Sequence, residues 1–97
     1  MSSRVEYKRI LSIVEQVTDV NALQMLTSKC EDATDARHIL VCIMHSRGFT
    51  DKKITEFTGL TRQAVFAIKK NFPYRRKRYF VNADYERVYK LVFEDAS

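Results

Sequence analysis

His38, Cys42 and His45 stand four and three residues apart, so a helix would carry all three on one face at a spacing that metal ligands can use. The segment around them, Ala36 to Met44, is strongly apolar, and the bland reading is preferred: core and boundary side chains of a buried helix. Neither a metal nor a cofactor is expected. Cys30 has a thiol but no oriented base and third group beside it, so nucleophilic catalysis finds no support. Asp32, Asp35 and Asp51 read as carboxylates at helix starts, where the macrodipole favours them, and not as an acid–base pair. Gly48 and Gly59 are the only glycines, so a phosphate-cradling loop cannot be built. The chain is not expected to be an enzyme or to take a small-molecule substrate.

A different chemistry is written between Thr50 and Phe72. Thr50 caps a short helix, Asp51 to Phe57, and Gly59 supplies the positive φ of a sharp turn. Thr61 then caps a second helix, Arg62 to Asn71, which Pro73 is expected to end. Ile54, Leu60, Val65 and Ile68 fall where two steeply crossing helices bury side chains, the arrangement of a DNA-binding helix-turn-helix. With that set inward, Thr61, Arg62, Gln63, Phe66, Ala67 and Lys70 face outward. Arg62 can fork onto guanine, Gln63 can pair with adenine, and Phe66 can meet a thymine methyl. Thr61, Lys69 and Lys70 suit phosphates, with Lys52 and Lys53 on the first helix as weaker candidates. The competing reading is an ordinary helical hairpin with a polar face.

The charge supports the sharper reading. The formal net charge is +5. Seven basic residues (Arg62, Lys69, Lys70, Arg75, Arg76, Lys77 and Arg78) and no acid lie between Phe57 and Ala83. The rest of the chain carries ten basic and twelve acidic residues, so the whole positive excess sits in this stretch. Clustered cations gain most from a phosphate backbone, through counterion release. Arg75, Arg76, Lys77 and Arg78 are expected to touch it. The interleaved Tyr74, Tyr79 and Phe80 are read as anchors into the core.

The elements that would position these residues are helices. Tyr7, Ile10, Leu11, Val14 and Val17 form a stripe along a first helix, Arg4 to Val17. A two-turn helix over Ala22 to Leu26 follows, with Asp19 as its cap. A central helix, capped by Thr34 or Asp32, buries Ala36, Ile39, Leu40, Ile43 and Met44 and stops at Gly48. Ile39 to Met44 alone could be a strand, but caps and length favour helix. A last helix runs from Ala83 to Phe93 behind Asn82. Ninety-seven residues with two glycines and one proline leave little material for β turns. The expectation is a single all-α domain over residues 1–97, of five to six helices, with the helix-turn-helix at about 50–72.

The residues Asp35-Ala36-Arg37-His38-Ile39-Leu40, Ile54-Thr55-Glu56-Phe57-Thr58-Gly59 and Ala64-Val65 resemble the C-terminal DNA-binding domain of the bacterial replication initiator DnaA, in the Trp-repressor-like helix-turn-helix group. The resemblance covers roughly residues 28–72. It implies a second motif helix in the major groove and a basic loop reaching the minor groove. Thr61, Arg62, Gln63 and Ala64 stand where that family has its Asp-His-Thr-Thr signature, and Lys29-Cys30-Glu31-Asp32 replaces the basic loop. The usual binding sequence of the family is therefore not expected.

The function expected is double-stranded DNA binding, as a regulator or a replication-related accessory protein. The alternative is a protein-interaction module on the same scaffold. No apolar run approaches the roughly 20 residues of a membrane span, and no signal core follows Met-Ser-Ser-Arg. A cytoplasmic, reduced setting is expected, with the first helix as a candidate homodimer surface.

Overall fold

In the computed structural model, which describes residues 2–94, six helices and no strand make up an all-α domain. They are α1 (Ser3–Thr18), α2 (Ala22–Thr27), α3 (Glu31–Ser46), α4 (Asp51–Thr58), α5 (Arg62–Arg75) and α6 (Tyr79–Glu94). The run Ile39 to Met44, which strand propensity alone would allow, is helical. A strand pairs through only two edges, whereas a helix with apolar residues on most of its girth can be wrapped. Here α3 touches each of the other five helices, and Ile39, Leu40, Val41, Ile43 and Met44 are all buried.

Local chemistry sets most helix ends. Ser2, Asn21, Thr50 and Thr61 each accept a hydrogen bond from the backbone N–H three residues on, satisfying a donor that the helix leaves orphaned. Gly59, at φ 76°, closes α4 in the left-handed region, with its N–H on the Thr55 carbonyl. Several boundaries differ from the sequence reading. Asp19 takes φ 59° as the C-cap of α1, and Asn21 caps α2 instead. An Asp tolerates that left-handed turn better than most residues. The N-cap of α3 is Cys30, without a side-chain bond, which leaves Asp32 and Thr34 inside the helix.

Another difference shapes the surface. Proline was expected to stop α5 at Asn71, but the helix continues through Pro73 to Arg75. Pro73 lies in the last turn, where one ladder bond is lost and the ring meets a single upstream carbonyl. Burial of Phe72 holds that turn on the core, and the Arg76 N–H still reaches the Phe72 carbonyl. α6 likewise begins at Tyr79, four residues before the expected start, because Val81 in its first turn is buried. Asn82 is thus a tie within the helix: it accepts from Arg76 Nε at 2.9 Å and donates to Glu86 at 2.6 Å.

The α1 stripe, read as spare surface for a homodimer, is covered within the chain. Tyr7, Ile10 and Val14 are buried, and α1 packs along α3 and α6. Arg9 donates to the Leu91 and Val92 carbonyls, which have no partners inside α6. Arg47 bonds Glu6 at 2.7 Å and lies over the Phe93 ring. No helix of the described residues is long and apolar enough to cross a membrane.

Candidate nucleic-acid interface

α4 and α5 meet through Gly59, Leu60 and Thr61. Ile54, Val65 and Ile68 are buried, Phe72 is buried against Tyr85 of α6, and Leu60 is half-buried at the turn. Thr58 is also buried; its hydroxyl donates to the Ile54 carbonyl and accepts from the Leu60 N–H, so the turn is fastened from inside. These contacts fix the rotation of α5 about its axis.

That rotation leaves Thr61, Arg62, Gln63, Phe66, Ala67 and Lys70 exposed. Thr61 Oγ1 accepts from the Ala64 N–H at 3.0 Å, which leaves its own proton free to donate outward. Among the described residues no carboxylate pairs with Arg62 or Lys70. One guanidinium, one ammonium, an amide and an aromatic ring therefore share one exposed face.

Apart from Lys52, the other cations of the sequence-derived set have intramolecular partners. Lys69 turns to Asp51, Nζ to Oδ1 at 2.7 Å, and this hydrogen bond holds the Asp51 carboxyl below its usual range. Lys53 lies 3.5 Å from Glu56, while Lys52 is exposed on α4 without an ion pair among the described residues. Arg75 reaches Asp35 at 2.7 Å, and Arg78 reaches both Glu31 and Asp35. Arg76 lies over the Tyr85 ring at 4.5 Å, and Lys77 over Tyr74 at 4.9 Å. The acids at the starts of α3 and α4 thus do more than favour a helix dipole.

The aromatic anchors are corrected. Tyr74, Tyr79 and Phe80 are not core residues; they are 72%, 78% and 78% exposed. The physical cause is the extra turn of α5. It consumes the residues that were to loop back, and it hands the anchoring to Phe72 and Val81 on either side. Carrying the helix through Pro73 also places Tyr74 eleven residues after Gln63 and seven after Ala67, on the same outward ridge. Sequence reasoning missed Tyr74 as a surface residue, although i+7 spacing from Ala67 would have found it had Pro73 been allowed in a last turn. Beside this ridge an open groove of about 640 Å³ runs between α5 and the first half of α3, bordered by Ala64, Asn71, Tyr74, Arg37 and His38.

The other candidate chemistry is dispersed. His38 is buried, with Nδ1 2.8 Å from the Thr34 carbonyl, whereas His45 on the same helix is exposed. Burial pushes the Cys42 thiol up to about 12. Among the described residues no group of three or more His, Cys, Asp or Glu is placed to hold a metal ion. No protein-family model, no curated protein and no solved structure matches this chain.

Proposed function

We propose that this chain is a double-stranded DNA-binding domain that lays α5 in the major groove, and that it serves as a regulator or replication-related accessory protein. The observation that carries the reading is the outward face of α5, which presents Arg62, Gln63 and Lys70 to solvent with no carboxylate in ion-pair contact with them among the described residues. The exposed start of α5 points backbone N–H groups and the Thr61 hydroxyl at the same side, which suits a phosphate. Arg62 and Gln63 read base edges, and Lys70, Lys52 and, from over the exposed Tyr74 ring, Lys77 neutralise phosphates. Lys53, Lys69, Arg75, Arg76 and Arg78 contribute only after they leave their present partners.

Selection of duplexes from a random pool by the purified chain, followed by sequencing, tests the reading and supplies the site. On that site Arg62→Ala should cost about 1–3 kcal/mol and relax preference at one position. Lys77→Ala should weaken all duplexes alike and flatten the salt slope by about one. Duplex binding by neither parent nor variants overturns the reading.

The exposure of Tyr74, Tyr79 and Phe80 favours one alternative, docking of this corner onto an acidic protein. Salt separates the two: phosphate binding collapses as salt rises, whereas an interface centred on buried rings persists.

A further inference from the structure

Eleven aromatic rings occupy this chain, all within the described residues. Ten of them touch another ring or a cation: Tyr7, Phe49 and Phe57 form one set, and Phe72, Tyr85, Tyr89 and Phe93 another. Tyr79 and Phe80 meet each other, and Tyr74 has Lys77. Phe66 alone has neither, and it is 63% exposed. It stands on the middle of α5, a helix fixed by the burial of Val65 and Ile68 on its opposite side. Arg62 lies one turn before it and Lys70 one turn after, both exposed and without an ion pair among the described residues. The short side chain of Ala67 is exposed next to it.

An apolar ring between two cations is complementary to an apolar group flanked by anions. In the major groove that group is the thymine 5-methyl, the one apolar group on the base edges, with phosphates along both rims. We infer that Phe66, assisted by Ala67, reads thymine methyl groups and so biases the target site of this chain toward thymine next to the bases that Arg62 and Gln63 contact. The inference rests on the duplex-DNA reading and specifies its sequence preference. From Gln63 to Phe66 the helix rises about 4.5 Å, while base pairs are spaced about 3.4 Å apart. The thymine therefore falls one or two base pairs from the Gln63 contact.

The experiment replaces each thymine of the selected duplex, one at a time, by deoxyuracil, which removes the methyl and keeps the pairing. With the full chain, one or two positions should lose about 4-fold in affinity, the worth of one buried methyl-sized group. The loss should persist in Phe66→Leu, which keeps an apolar side chain, and vanish in Phe66→Ala while salt-dependent duplex binding remains. Circular dichroism confirms that both variants are folded. Deoxyuracil neutral at every position, with steep salt-dependent binding intact, overturns the inference and leaves the DNA reading standing. A thymine preference that survives unchanged in Phe66→Ala also overturns it. A chain that binds no duplex overturns both.

Discussion

The two cysteines show how placement, more than residue type, sets reactivity. Cys42 lies in α3 with its thiol raised to about 12 by burial, so it holds almost no thiolate at neutral pH. Cys30 is exposed at the α3 start, and its thiol is lowered by hydrogen bonds, the one with the Ser28 side chain first. A maleimide at pH 7 should label Cys30 within minutes and leave Cys42 untouched until denaturant is added, as peptide mapping would read. His38 carries a pH dependence. Burial holds its imidazole below the usual 6.5, outweighing the hydrogen bond to Thr34. The unfolded chain then binds a proton that the folded chain refuses, so stability falls as pH drops through about 6.5. The fall ends once pH is below the folded value. Urea midpoints at pH 7.5 and 5.5 should differ for the parent, and differ less for His38→Gln.

At the scale of the element, α5 is where a local rule yields to packing. The residue before a proline disfavours helical backbone, yet Phe72 is helical because its ring is buried against Tyr85, 5.0 Å away between centroids. The last turn is therefore held at a cost. Pro73→Ala should restore a ladder bond and raise stability by about 1 kcal/mol, net of the greater freedom it gives the unfolded chain. Chemical denaturation measures this directly. Pro73 is exposed and its replacement leaves Arg62, Gln63 and Phe66 in place, so duplex affinity should hardly change. A stability loss above 1 kcal/mol would mean that the ring pre-organises the chain beyond Asn71.

Across the whole molecule, acids from one helix restrain the basic stretch of another. Asp35 holds both Arg75 and Arg78, forty or more positions later in the chain. Asp35→Asn removes the charge that holds Arg75 and leaves Arg78 with Glu31 alone. On a duplex it should raise affinity and steepen the salt slope by about one, because the freed Arg75 guanidinium can displace a counterion. A salt titration with an unchanged slope would place Arg75 outside the reach of the backbone.

Much of this protein was legible in its residues. Helical spacing in Ile39 to Met44, threonine caps at Thr50 and Thr61, and Gly59 between them determine an all-α chain and the outward set on α5. These are local rules, decided within a few residues by periodicity and orphaned N–H groups. The extension of α5 past Pro73, the exposure of Tyr74, Tyr79 and Phe80, and the pairing of Asp35 and Asp51 with distant cations were decided only by the tertiary structure. Each depends on which side chains far apart in the chain share the core, and burial of Phe72 and Val81 outweighs the local preferences that the sequence displays.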